Sequence, residues 1–324
     1  MNTLTRLLAA GTLAVCAIAP AAAQTFPIRP VRAVLPYSAG SGPDAVVRQI
    51  GDILSREWGQ QLLVDNKPGG NSWIAAAEVK RAPADGYTLF AVDATPMTLQ
   101  PHLYKQMPFD PAKDFDPVAA LYSTNFFIVV AADSPWKSVG DLLAAARANS
   151  GRTTYGSWGI GSVAHVGTAM LEGATGVRMT HVPFKELPQL YTAVASGDVD
   201  WAFGTAATAG PLVRAKKLRF LAYAGTKRLA GHDDVPTVAE AGGPAGFELR
   251  TWVALFAPRG TPKAAIERIG AGVAKALATP EVRERFAGFG FEPWVAPPAA
   301  IGKVVDADTR RFAEIVKRAS IALD

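Results

Sequence analysis

Short apolar runs rich in β-branched residues alternate along the chain with longer segments in which apolar residues recur every three to four positions. Residues 32–37 predict a buried strand, and residues 45–58 place their apolar side chains on one face of a helix. The alternation continues, although no helix is predicted between residues 204 and 219. Strands that alternate with helices are typical of a mostly parallel sheet flanked by helices, so we predict an α/β fold.

Two extended segments, near residues 122–125 and 247–251, predict that the chain crosses twice between two lobes. The later crossing is followed by three helical stretches that we expect to return to the first lobe. We predict one lobe from residues 24–123 and 251–324 and a second lobe from residues 124–250. The two crossings would then form a hinge, with a ligand cleft between the lobes.

The first 23 residues have the layout of a secretory signal, with an apolar run over residues 7–18 and small residues before Ala23. The run is too short to cross a bilayer, which takes about 20 residues. We therefore predict cleavage after Ala23 and export to the periplasm. Lipid anchoring at Cys16 is the alternative, but Val15 stands where a lipoprotein signal has a small residue.

Composition narrows the chemistry of the exported chain. Its one cysteine, Cys16, lies inside the predicted signal, so thiol catalysis, disulfides and zinc–thiolate sites are not expected. The 33 basic and 28 acidic residues are scattered, and the longest basic cluster spans only residues 214–219. This distribution does not favour a nucleic-acid partner. We expect a monomer with a mild preference for anionic solutes.

The first candidate site is a turn rich in small residues, at positions 37–44, between the first strand and the first helix. Such a turn presents backbone N–H groups at a helix N-terminus, where unpaired donors and the helix dipole favour an anion. It lacks the Gly-Lys-Ser/Thr ending of a P-loop. The candidate contacts are Tyr37, Ser38, Ala39, Gly40, Ser41, Gly42 and Asp44. The alternative is structural: the glycines permit a tight connection and Asp44 caps the helix.

A second turn of the same construction, at positions 156–165, is predicted in the second lobe. The two turns would face each other at the carboxyl ends of the two sheets, where open α/β sheets bind ligands. Here too a structural alternative stays open, with Ser162 as a helix N-cap and His165 as a capping or packing residue. The candidate contacts are Ser157, Trp158, Gly161, Ser162 and His165, together with Thr95, Phe184 and Thr205 at strand ends.

The sequence does not favour an enzyme. The histidines, at positions 102, 165, 181 and 232, contain no short-spaced metal pair, so neither a metal nor a cofactor is expected. Residues 156–161 do not fit the Gly-x-Ser-x-Gly nucleophile elbow. A catalytic dyad of His165 with Ser162 or Ser157 is not favoured, because no residue is predicted to orient His165 as the base.

Several motifs occur in a fixed order along the chain. They include PVRAVLPY at 30–37, DNKPG at 65–69, ADGYTL at 84–89, HVPFK at 181–185, DVPTVAEAG at 234–242 and APRGTP at 257–262. With these motifs the sequence resembles the Bug family, the solute receptors of tripartite tricarboxylate transporters. The resemblance implies a type II periplasmic-binding-protein fold that closes like a Venus flytrap. It also implies a carboxylate held by backbone donors and waters from the two turns.

The first turn has Ala39-Gly40-Ser41 where the family usually has Pro-Gly-Gly, and three further positions depart from the family pattern. Pro43 removes one N–H donor from the first turn, and Glu186 replaces a usual glycine. Gly204 stands where an acidic residue is often found, which we expect to enlarge the pocket and to favour a carboxylate without an α-amino group. The predicted function is a receptor that delivers a small carboxylate to a membrane transporter. A periplasmic sensor subunit and, third, an enzyme using Ser162 or His165 are the alternatives.

Overall fold

The computed structural model describes residues 26–319. The strands are β1 (Val31–Leu35), β2 (Leu62–Asn66), β3 (Thr88–Asp93), β4 (Phe115–Asn125), β5 (Phe127–Ala131), β6 (Thr154–Ser157), β7 (Thr180–Pro183), β8 (Trp201–Gly204), β9 (Leu218–Tyr223), β10 (Arg250–Pro258) and β11 (Glu292–Pro293). The helices are α1 (Gly42–Trp58), α2 (Trp73–Lys80), α3 (Pro111–Asp114), α4 (Val139–Ala148), α5 (Val163–Thr175), α6 (Leu187–Ser196), α7 (Ala206–Arg214), α8 (Lys263–Ala278), α9 (Pro280–Phe289) and α10 (Pro298–Ala319). The predicted signal segment, residues 1–23, lies outside the described residues.

The strands form two sheets, one of order β11-β4-β10-β3-β1-β2 and one of order β7-β6-β8-β5-β9. One strand of each sheet has the same setting, because β1 lies between its parallel neighbours β2 and β3, and β6 lies between β7 and β8. Helices pack on both sheets, which confirms the predicted α/β class and the two-lobed architecture.

The prediction of mostly parallel sheets is wrong. Among the described strands, β1 pairs in parallel with β2 and β3, and β6 with β7 and β8, but every pairing of β4, β5 and β10 is antiparallel. The reason is the double crossing of the chain. The outgoing strand β4 and the returning strand β10 run side by side in opposite directions, and β5 enters the second sheet between β8 and β9.

The two connections between the sheets are hydrogen-bonded neighbours. Strand β4 ends at Asn125, and Phe126 leads at once into β5 of the other sheet. The N–H of Phe126 donates to the carbonyl of Leu249 at 3.1 Å, just before β10 begins. The Asn125 amide adds a bond to the carbonyl of Ala224 at 2.8 Å. The hinge is therefore a short antiparallel ribbon.

Helix α1 shows how the sequence pattern becomes packing. Its buried residues include Val46, Ile50 and Leu54, which share one apolar cluster with Ile269 and Val273 of α8. Burial of each such side chain contributes about 1.5–3 kcal/mol. The helix therefore fixes the position of its own N-terminus, which carries the first turn.

Helix α7 was absent from the prediction. Its sequence is rich in small residues and contains Pro211, which normally interrupts a helix. A reciprocal pair of hydrogen bonds between Thr205 and Thr208 caps its start and offsets part of this cost. Thr95, predicted at a strand end, likewise begins a helical segment, Thr95–Leu99.

The C-terminal helix α10 contacts both lobes rather than the first lobe alone. The Trp252 indole N–H on β10 donates to Asp308 of α10 at 2.8 Å. Further along α10, Phe312 and Val316 share an apolar cluster with Val166 of α5 in the second lobe. Within residues 26–319, no helix has the length and apolar character to cross a membrane.

Candidate functional site

The first turn is closed by a residue of the helix that it precedes. Gly40 adopts φ +81°, which favours glycine, and Ser41 is the N-cap of α1. The N–H of Gly40 donates to Oδ2 of Asp44 at 2.8 Å, and the N–H of Ser41 donates to the carbonyl of Ser38 at 3.2 Å. The Gly40 and Ser41 N–H groups are therefore already used within the turn.

Asp44 faces the interior of its lobe. The residue is 2% exposed, and its carboxylate also accepts bonds from Arg48 at 3.0 Å and from the Asn66 amide at 2.9 Å. Burial acts to raise the pKa of Asp44, but the bonds from Arg48, Gly40 and Asn66 outweigh it and lower the pKa below its ordinary value. The same Asn66 amide donates to the carbonyl of Tyr37 at 2.9 Å. Asp44 thus connects the turn to the end of β2.

Asp93, at the end of β3, joins two predicted site residues. The Tyr37 hydroxyl donates to Oδ2 of Asp93 at 2.8 Å, and the N–H of Thr95 donates to Oδ1 at 2.7 Å. Burial, and then the charge of Asp93, raise the pKa of Tyr37 well above its ordinary value, so its hydroxyl stays protonated. Sequence reasoning missed Asp93, although an aspartate at the carboxyl end of a central strand was a usable signal.

The second turn is built in the same way. Gly161 has φ +75°, and Ser162 is the N-cap of α5, with its hydroxyl accepting the N–H of His165 at 3.3 Å. The N–H of Gly161 donates to Nδ1 of His165 at 3.1 Å. The N–H of Ser162 donates to the carbonyl of Gly159 at 3.2 Å. In each turn a glycine N–H is bound by the side chain of the third helical residue.

Two stacked imidazoles lie beneath the second turn. The rings of His165 and His181 are 4.3 Å apart with an interplanar angle of 11°, and Tyr155 stacks on His181 at 4.9 Å. The Ser157 hydroxyl lies 2.6 Å from Nε2 of His181. Burial lowers the pKa of both histidines, that of His181 to about 4, with a further contribution from the adjacent His165. His181 comes from the neighbouring strand β7, and sequence reasoning did not assign it to the site.

Each turn follows the middle one of three parallel strands, β1 in the first sheet and β6 in the second. From that strand the chain leads first to the neighbouring strand on one side and then to the neighbouring strand on the other. Within residues 26–319, no hydrogen bond engages the N–H groups at the start of the two helices, namely those of Gly42, Asp44, Val163 and Ala164. The Ser41 hydroxyl oxygen, buried in the same part of the chain, has no hydrogen-bond partner. These are neutral donors at two positive helix ends, which suits a negatively charged group.

The remaining predicted site residues connect these turns to the rest of the fold. A Cβ atom built on Gly42 would lie 3.5 Å from that of Ala207 in the second lobe, so the start of α1 meets the start of α7 just after Thr205. The Thr205 hydroxyl accepts the N–H of Thr208 as a helix cap. No hydrogen bond joins the first turn to the second in the described part of the chain.

Two aromatic candidates belong to the surroundings of the second turn. The Trp158 ring lies 5.6 Å from that of Phe126 at the hinge. The N–H of Phe184 donates to the carbonyl of Ser157 at 2.9 Å, which fixes the end of β7 beside the turn. Both residues are half-buried, so they combine packing with an exposed edge.

The expectation that Gly204 enlarges the pocket is wrong. A Cβ atom at this position would lie 2.9 Å from the Tyr191 hydroxyl and 3.1 Å from Ala209 and Val129. Gly204 therefore points into the core of the second lobe, and Tyr191 already occupies the space that a side chain would need. The preference against an α-amino group loses its structural basis.

Among residues 26–319, no group of three or more His, Cys, Asp or Glu side chains is placed to hold a metal ion.

Two α/β lobes joined by a double crossing, each with an anion-compatible turn, define a two-lobed solute-binding protein. The family model of the tripartite tricarboxylate transporter family receptor matches residues 46–321. The chain belongs to this family, whose members are solute-binding receptors and not enzymes.

Solved structures support the same assignment. A protein of R. palustris solved with adipate is 32% identical and superposes with a TM-score of 0.86, covering 92% of this chain and 100% of that one. MatC from Rhodopseudomonas palustris, with bound malate, is 29% identical with a TM-score of 0.81, covering 90% and 100%. The periplasmic binding protein BugD is 28% identical with a TM-score of 0.82, covering 92% and 100%. The resemblance to Bug receptors is confirmed.

Proposed function

We propose that this protein is an exported, monomeric receptor that captures a small carboxylate between its two lobes and delivers it to a tripartite tricarboxylate-type membrane transporter. The signal would be removed after Ala23. One lobe would comprise residues 24–123 and 251–324, and the other residues 124–250. The two turns would supply the ligand contacts.

The observation that carries this proposal is the matched pair of helix starts with unengaged N–H groups. Each hydrogen bond to a charged group contributes about 1.5–3 kcal/mol. Four or five such bonds, less the cost of closing the lobes, leave about 8 kcal/mol, which corresponds to micromolar affinity. Adipate and malate, bound by the two R. palustris relatives, are dicarboxylates, and this chemistry makes small dicarboxylic acids the first candidates.

The test compares the thermal stability of the processed protein with adipate, malate and their uncharged counterparts, such as 1,6-hexanediol for adipate. A ligand present at a hundred times its Kd stabilises the folded state by about 2.7 kcal/mol. We expect at least one carboxylate to raise Tm by about 5 °C or more. A rise with the diols and none with any small mono- or dicarboxylate would contradict an anion site.

The two methyl esters of adipate test the role of charge further. Monomethyl adipate retains one carboxylate and dimethyl adipate retains none, while chain length is preserved. If adipate binds, the dimethyl ester should lose all measurable affinity in calorimetry, because uncharged ester oxygens are weaker acceptors. Equal affinity for acid and diester would show that the helix starts do not bind the carboxylate.

A further inference from the structure

We propose that Asp44 and His165 are equivalent positioning residues, each of which accepts the N–H of the glycine four residues earlier and so fixes the conformation of its ligand-binding turn. The inference rests on the proposed function, because it concerns how that same site is held. It changes the role of both residues, which would act through the turns rather than by touching the ligand.

The two residues occupy the same place in their helices. Asp44 is the third residue of α1 and accepts the N–H of Gly40 at 2.8 Å; His165 is the third residue of α5 and accepts that of Gly161 at 3.1 Å. Both glycines have positive φ, with a serine N-cap directly after each of them. The bond orients each glycine N–H toward its own helix, so the unengaged N–H groups of the first helical turn are left for a ligand.

The chemistry of the two acceptors differs. The Asp44 carboxylate is ionised and is supported by Arg48 and Asn66. His165 accepts at Nδ1, which requires that this nitrogen carry no proton. Protonation of His165 therefore removes the acceptor for Gly161, whereas the pKa of Asp44, lowered by its hydrogen bonds despite its burial, keeps the first turn closed at the same pH.

The groups around His165 do not favour its charged form. His181 on β7 stacks on one side, and Tyr155 on β6 lies 6.5 Å away. On α5 itself, Glu172 accepts the N–H of Met179. On α10, which packs on α5, Arg311 donates to the Glu248 carbonyl, and Glu314 pairs with Arg318. No ion pair within residues 26–319 reaches either imidazole.

Carboxylate affinity should therefore decline on acidification below the ordinary titration range of histidine, because the second turn loses its internal hydrogen bond. The decline should depend on His165. An asparagine at this position offers an amide oxygen in place of Nδ1 and does not titrate. The first turn shows that a side chain of this length is long enough, since Asp44 reaches Gly40 from the same helical position.

The experiment measures carboxylate affinity by calorimetry from pH 7.5 to pH 5 for wild type, His165→Ala and His165→Asn, with His232→Asn as a histidine control outside the site. Amide exchange of Gly161 is measured by NMR without ligand. We expect His165→Ala to weaken binding about threefold to tenfold at pH 7.5, the effect of one neutral hydrogen bond, and to accelerate Gly161 exchange. His165→Asn should restore both, and its affinity should fall less on acidification than that of wild type.

Different results separate this inference from the proposed function. If wild type binds a carboxylate and His165→Ala binds it equally well, the positioning role is wrong and the receptor function stands. Acid weakening in His165→Asn as large as that of wild type would also overturn the role, since another group or the ligand's own carboxyl would then be responsible. If wild type binds no carboxylate, the proposed function fails, and unchanged Gly161 exchange in His165→Ala would refute the positioning role independently.

Discussion

Two serines occupy the same position in the two turns but make different hydrogen bonds. The Ser162 hydroxyl accepts the N–H of His165, as a helix N-cap commonly does. The Ser41 hydroxyl oxygen is buried and has no partner within residues 26–319. A buried polar group without a partner is costly, and a ligand oxygen would satisfy it. We therefore expect the Ser41 hydroxyl to gain a hydrogen bond from a bound anion.

Replacing each serine by alanine separates ligand binding from folding. Ser41→Ala should weaken carboxylate binding about tenfold or more, from the loss of a bond of about 1.5–3 kcal/mol to a charged group, and should leave the Tm of the ligand-free protein unchanged or raise it. Ser162→Ala should also lower the free energy of unfolding by about 1 kcal/mol, because it removes a cap. Calorimetry and urea denaturation measure both quantities. A large loss of stability in Ser41→Ala would show that its hydroxyl has a structural partner.

The buried imidazole of His181 should make stability depend on pH. Its pKa is lowered to about 4, by burial first and then by His165, whereas the unfolded value is about 6.5. The unfolded chain thus binds more protons between these pH values, so stability is complete above pH 6.5 and declines as pH falls toward 4. Allowing for partial exposure, the loss is about 1–2 kcal/mol.

Urea denaturation of wild type and His181→Gln at pH 7 and pH 4.5 measures this effect. The glutamine variant does not titrate and keeps a polar group near Ser157, which lies 2.6 Å from His181. We expect its stability to change less between the two pH values than that of wild type. Identical pH dependence in the two proteins would assign the acid sensitivity to other groups.

At the scale of elements, the sequence predicted those whose periodicity is strong. The buried strand β1 and helix α1 are confirmed. Helix α7 was missed because small residues and Pro211 conceal its pattern. Asp93 and His181 were missed for a different reason: they reach the turns from neighbouring strands, so their place in the site depends on tertiary contacts, although the strand-end position of Asp93 was a usable signal.

Gly204 provides a test at this scale, since strand β8 and helix α6 meet there. Gly204→Ala should lower the free energy of unfolding by about 1–3 kcal/mol, because the added methyl would lie 2.9 Å from the Tyr191 hydroxyl. Adding Tyr191→Phe removes that hydroxyl and should recover part of the loss, which a double-mutant cycle measures. A neutral effect of Gly204→Ala would mean that the core has room at this position.

At the scale of the whole molecule, α10 joins the two lobes. Asp308 binds it to Trp252 in the first lobe, and Phe312 and Val316 pack with Val166 in the second. Val166 directly follows His165, so this contact holds the helix that carries the second turn. We therefore expect α10 to couple the position of α5 to the first lobe.

Phe312→Ala should lower the free energy of unfolding by about 3 kcal/mol, since Phe312 is 4% exposed. The substitution should also weaken carboxylate binding, although it alters no residue of the two turns, because α5 would be held less firmly against the first lobe. Val295→Ala, at a side chain that is 60% exposed, is the matched control and should change neither quantity. Unaltered affinity in Phe312→Ala would separate α10 from ligand binding.

The amide protons at the two helix starts give the most direct test of carboxylate capture between the lobes. Their exchange and chemical shifts can be followed by NMR while the tightest-binding carboxylate is added. We expect the N–H groups of Gly42 and Asp44 in one lobe and of Val163 and Ala164 in the other to shift and become protected together. Saturated binding that leaves either pair unchanged would contradict a carboxylate held by both turns.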